Sequence, residues 1–147
     1  IRDSDLGAAE RAARAREIYE PLHALLSATL DGFSFAPAFV TIHSFAPVWY
    51  GRTRPTELGL LHDSDPRLAH AMLAEADPSI RTELNRPYSA ADGVTHTLAK
   101  HATKRGLQNV MIEVRNDLLA EDAQIARIAG TLERMLSAAL VSGADAA

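Results

Sequence analysis

Val110-Met111-Ile112-Glu113-Val114 reads as a β-strand with one carboxylate set among apolar residues. Because successive side chains in a strand point to opposite faces, Glu113 lies opposite Ile112 and Val114, and Arg115 two residues on shares its face. Working outward, Asp122 to Leu140 forms an amphipathic helix with Ile125, Ile128, Leu132, Met135 and Leu136 on one face. On the other side, Gly106 ends a helix expected from about Val94 to Lys104, since glycine takes the left-handed cap conformation without a Cβ penalty.

Further upstream the same alternation recurs. Ala38 to Ile42 is a β-prone run without strict polar alternation, as expected of a strand covered on both faces, and it ends at His43-Ser44-Phe45. Glu57 to His62 is a second strand candidate; Asp65-Pro66 then starts a helix from Arg67 to Ala76. Ser79 to Leu84 is a weaker strand, followed by a loop from Asn85 to Gly93. The chain opens with a long amphipathic helix from about Asp5 to Leu30, bearing Ala8, Ala12, Ala15, Ile18, Leu22, Leu25 and Leu26 at helical spacing. Pro21 lacks a backbone donor and should kink it near Tyr19 to Leu22. Strands alternating with helices mean an α/β layered fold, with an Ala-, Gly- and Ser-rich tail frayed after Val141.

Composition narrows the classes of function. The 147 residues fit one domain, with 47% apolar content to build its core. A formal charge of -4 gives no basic field for phosphate backbones or anionic membrane, so neither nucleic acid nor membrane is an expected partner. No apolar run is long enough to span a bilayer and the start is charged, which points to a cytoplasmic protein. Without cysteine, any metal is left to His, Asp and Glu. Ile1 stands where an initiator Met would be, so the chain reads as a piece of something longer.

In open α/β sheets, sites form at the carboxyl ends of strands, where His43, Glu113, Arg115 and the Asn85 loop all fall. A histidine there suits a metal, although spacing alone favours a histidine that only bonds neighbouring backbone. His96 and His101 stand five apart and share a helix face poorly; His62 and His70 read as surface residues. Glu113 has two readings: a structural ion pair with Arg115, or a general base beside a carboxylate clamp. Ser44 lacks a nucleophile-elbow context, which disfavours a serine hydrolase.

Taken together, IYEPLH (Ile18 to His23), VTIHSFAPVW (Val40 to Trp49) with Arg54-Pro55, GLLHD (Gly59 to Asp63), the stretch Asn85 to Leu107 and VMIEVRNDLL (Val110 to Leu119) resemble the N-formylglutamate amidohydrolase family. The resemblance implies a three-layer α/β/α, phosphorylase/hydrolase-like fold with a mixed sheet, similar to zinc-dependent exopeptidases such as the carboxypeptidases. It also implies one divalent metal, zinc, with His43 as a ligand and Glu113 as general base. Arg115, Asn85 and Arg54 fall at substrate-binding positions. The expected substrate is a small acidic amide such as N-formylglutamate, in histidine degradation. The family's first metal ligands, a histidine and an acidic residue, belong to a stretch upstream of Ile1, so this chain resembles the C-terminal part of the domain. An amidohydrolase for another N-acyl amino acid and a non-catalytic binding or structural remnant are the alternatives.

Overall fold

The computed structural model describes residues 5–144. The chain divides into two compact units, Ile1–Pro37 and Ala38–Ala147.

The first unit is helical. Helix α1 spans Ala8–Arg14, a π-helical stretch follows over Ala15–Tyr19, and α2 runs over Glu20–Asp31. The widened stretch lies just before Pro21, where the sequence predicts a kink, and there the Glu20 N–H donates to the Ala15 carbonyl five residues back. The predicted apolar face is not buried: Ile18, Leu22 and Leu25 are all more than half exposed, whereas His23 is buried and its ring lies 4.0 Å from that of Tyr19.

The second unit holds a mixed sheet between helical segments. Strands β1 (Phe39–Phe45), β4 (Leu58–Leu61), β5 (Thr82–Leu84) and β6 (Asn109–Arg115) lie in the order β1-β6-β4-β5; β2 (Val48–Trp49) and β3 (Arg52–Thr53) form a separate hairpin. β1 runs parallel to β6, β6 antiparallel to β4, and β4 parallel to β5. The expected α/β fold with a mixed sheet is therefore the one observed.

Several boundaries move. β1 continues to Phe45 because its ladder with β6 persists to the pair Phe45 and Arg115, so His43 lies within the strand, not beyond it. The expected strand from Ser79 begins only at Thr82. In place of one regular helix from Val94 to Lys104 there are π-helical (Leu98–Ala102) and 3₁₀ (Thr103–Arg105) turns; Gly106, at φ 69°, caps them as predicted. Helix α3 covers Arg67–Ala74 and α4 covers Asp122–Ala144, longer than predicted, while the tail where fraying is expected lies partly outside the described residues.

The strand register sorts the side chains. Val110, Ile112, Val114, Leu58 and Leu60 share one face with Leu68, Ala69 and Met72 of α3 and Ile128, Met135 and Ala139 of α4, all buried. On the other face the turns after Leu98 pack against β6, and the ring of buried His101 lies 6.5 Å from that of Phe39. β1 is an edge strand, and Ile42 is 65% exposed, so the expectation that this strand is covered on both faces does not hold in this chain. An apolar groove of about 380 Å³ runs between Val40 and Ile42 of β1 and Ile125, Leu132 and Leu136 of α4.

Candidate functional site

The polar row of the sheet follows from its register. His43 of β1 stands opposite Glu113 of β6, Glu113 opposite Gly59 of β4, and Gly59 opposite Glu83 of β5. Directly opposed residues project to the same face, so His43 and Glu113 are brought to one surface as the strand pattern predicts.

Glu113 is the chemically unusual member. It is only 4% exposed, and its Oε2 is buried without a hydrogen-bond partner among the described residues. Burial pushes its carboxyl above the ordinary carboxylate range, because the charged form loses water that nothing replaces; His43 and Arg54 oppose that shift electrostatically. His43 itself is exposed.

The ion pair between Glu113 and Arg115 is not formed. Arg115 instead binds Asp117 with Nε–Oδ1 at 2.8 Å, and its other nitrogens reach Glu57 at 3.4 Å and the carbonyls of Arg54 and Pro55. Neighbours two apart on a strand are separated by about 7 Å along it, and the turn at Asn116–Leu119 presents a nearer carboxylate. Asn85 is also engaged: its Oδ1 accepts from the backbone N–H of His62 at 3.0 Å and its Nδ2 lies 3.1 Å from His62 Nε2. Half-buried His62 is thus a structural partner for the loop.

Arg54, by contrast, sits in an aromatic enclosure. Its guanidinium carbon lies 5.6, 5.0 and 4.9 Å from the ring centres of Phe45, Trp49 and Tyr88, and Nη1 donates to the Tyr88 hydroxyl at 3.1 Å. Nη1 also reaches the Ala46 carbonyl at 3.4 Å, so the Nε–Nη2 edge is the one left for a bidentate carboxylate contact while the rings hold the cation. Arg54 also lines a cavity of about 570 Å³ together with Trp49, Arg52, Arg81, Glu83 and Arg86. The Thr56 hydroxyl and the Arg81 guanidinium hold Glu83 below the usual carboxylate range. The apolar groove between β1 and α4 lies on the opposite sheet face.

Two contributors are not evident from the sequence pattern. A Cβ on Gly59 would lie 2.0 Å from the Arg86 carbonyl oxygen, so the absent side chain lets the 85–88 loop rest on the sheet beside Glu113. Tyr88 acts through Arg54. Both fall in segments that carry the family resemblance, yet their roles depend on a non-local approach that periodicity does not report.

A zinc site needs about three protein ligands. Among the described residues no group of three or more His, Asp or Glu side chains comes together, so His43 with Glu113 does not make a complete site.

Comparisons with known proteins bear on the fold and the family. A crystal structure of a gene product from Agrobacterium tumefaciens is 49% identical, superposes with a TM-score of 0.89, and is matched over 94% of this chain and 56% of its own. This chain therefore spans about half the length of that protein. A search of curated proteins finds no match. The family model of N-formylglutamate amidohydrolase matches residues 1–120, all four strands of the main sheet included, and the chain belongs to that family.

Proposed function

We propose that this chain forms part of a metal-dependent hydrolase that cleaves a linear amide on an acidic small molecule, typified by deformylation of N-formyl-L-glutamate to glutamate and formate. The observation that carries the reading is Glu113, a buried carboxylate with an orphaned oxygen opposite His43. Uncompensated burial is costly, and groups left so are concentrated where chemistry needs them.

In this reading Glu113 takes a proton from the attacking water and delivers it to the nitrogen that leaves as the C–N bond breaks. The water oxygen bonds to the acyl carbon, giving formate and a free amine. Arg54 fixes a substrate carboxylate through the free edge of its guanidinium. Zinc, with His43 as one ligand and the others from outside the described residues, is the cofactor that the family resemblance implies. Asn85 and Arg115 support the site through His62, Asp117 and Glu57.

Formate release from a panel of N-formyl and N-acyl amino acids, measured on the polypeptide that carries the complete site, tests the reading. Preferential turnover of an acidic N-formyl amino acid, lost on chelation, is the expected result. No turnover of any linear amide contradicts it.

A further inference from the structure

Asn85 closes the ladder between β4 and β5 with its side chain as well as its backbone. Its φ of 50° is a left-handed conformation that asparagine adopts more readily than most residues, and its N–H donates to the Leu60 carbonyl at 3.1 Å. From there the side chain turns back onto His62, just past the end of β4.

The roles of donor and acceptor in this pair are fixed by chemistry. A backbone N–H can only donate, so the Asn85 atom 3.0 Å from the His62 backbone nitrogen is the amide oxygen. The Asn85 NH2 can also only donate, and it faces His62 Nε2 at 3.1 Å, so that ring nitrogen accepts. The ring proton then lies on Nδ1, where it donates to the Asp63 carbonyl at 2.8 Å. Only the neutral imidazole completes the set. A second proton, on Nε2, would meet the Asn85 NH2 donor to donor. Flipping the amide would instead turn its NH2 against the His62 backbone N–H, so a hydrogen bond between half-buried groups is lost either way.

The loop secured by this contact forms one wall of the site. The Arg86 carbonyl rests where a Gly59 side chain would be, and the Tyr88 hydroxyl accepts from Arg54 Nη1 at 3.1 Å, its ring centre 4.9 Å from the guanidinium carbon. Other charged or titratable groups surround the imidazole. His70 of α3 has its ring centre 5.6 Å away; the turn after β4 brings Asp63 and Asp65, with Asp65 bound to Arg67 at 2.8 Å. The loop itself carries Arg86 and Asp92, which line a cavity of about 410 Å³ with Asn85.

We infer that His62 is a positioning residue: its neutral imidazole latches the 85–88 loop, and its protonation frees the loop and loosens Tyr88 from Arg54. The latch belongs to the loop and is measurable without turnover. Its effect on substrate rests on the reading in which Arg54 holds the substrate carboxylate.

Nitrogen-15 NMR of the polypeptide that carries the complete site, followed from about pH 8 to about pH 5 where imidazoles ordinarily titrate, provides the test. At the upper end His62 should carry its proton on Nδ1, and on acidification the Tyr88 backbone amide and the Arg54 Nε–H should shift in step with the His62 ring. His62→Gln supplies a side-chain oxygen that accepts from Asn85 at every pH, so it should keep the loop latched and abolish the transition. His70→Gln should leave the transition in place. In turnover, protonation of His62 should raise KM for the acidic amide about three- to tenfold, the size of one lost hydrogen bond, and His62→Gln should remove that rise. A Tyr88 amide indifferent to the His62 titration, a transition that survives in His62→Gln, or a KM profile identical in both proteins overturns the latch. A loop that titrates as described in a polypeptide that turns over no amide leaves the latch standing and overturns the hydrolase reading alone.

Discussion

His43 and Glu113 face one another across the parallel ladder of β1 and β6, one exposed and the other buried. Water reaches the imidazole but not the inner carboxylate oxygen, and this asymmetry gives a pH signature. Because burial raises the folded pKa of Glu113 above its usual value of 4.5, the folded state holds the proton more tightly than the unfolded state. Below pH 4.5 both states are protonated and no penalty exists; as pH rises through the folded value, the stability contributed by the protonated carboxyl is lost. Relative to Glu113→Gln, the native protein should lose stability across that window. Urea unfolding of both proteins as a function of pH checks it, and parallel curves would show that the carboxyl is not destabilised.

Gly59→Ala should displace the Arg86 segment, since the added Cβ meets a backbone oxygen that cannot rotate away. Overpacking of this kind costs about 1–3 kcal/mol. The unfolding midpoint in urea should fall accordingly, with the m-value unchanged.

The strand register predicts a contrast between two isoleucines paired across β1 and β6. Ile112 is 1% exposed and Ile42 is 65% exposed. Ile112→Ala should cost about 2–5 kcal/mol, Ile42→Ala well under half of that. Equal costs would mean that the β1 face is covered in solution.

That contrast also shows what the sequence could and could not reveal. The apolar runs around Val40, Leu60 and Ile112 disclosed three strands and the α/β class, because pleat and hydrophobic burial are local signals. Sidedness at Glu113 was legible for the same reason. Exposure of Ile42 was not, since an edge strand and an inner strand of similar composition differ only in their neighbours. The pairing of Arg115 with Asp117, the engagement of Asn85 by His62, and the seating of Arg86 on Gly59 all depend on loop conformation, where side-chain spacing carries no register.

Zinc binding follows the ligand arithmetic. With no group of three or more His, Asp or Glu side chains among the described residues, this chain by itself should retain no stoichiometric zinc after dialysis. Metal analysis of the dialysed protein checks this; a tight equivalent of zinc would mean that other histidines converge, with His96 and His101 the first to substitute.

The most direct test of the account is the turnover of Glu113→Gln in the polypeptide that carries the complete site. Gln keeps the size and shape of the side chain, and no ion pair is broken, because Arg115 is bound to Asp117 and Glu57. A positioned general base contributes about 10²- to 10⁴-fold in rate. The account predicts that kcat falls by at least about 100-fold while the melting temperature at neutral pH does not decrease. A variant that turns over at the native rate, or that loses activity only because it unfolds, would contradict it.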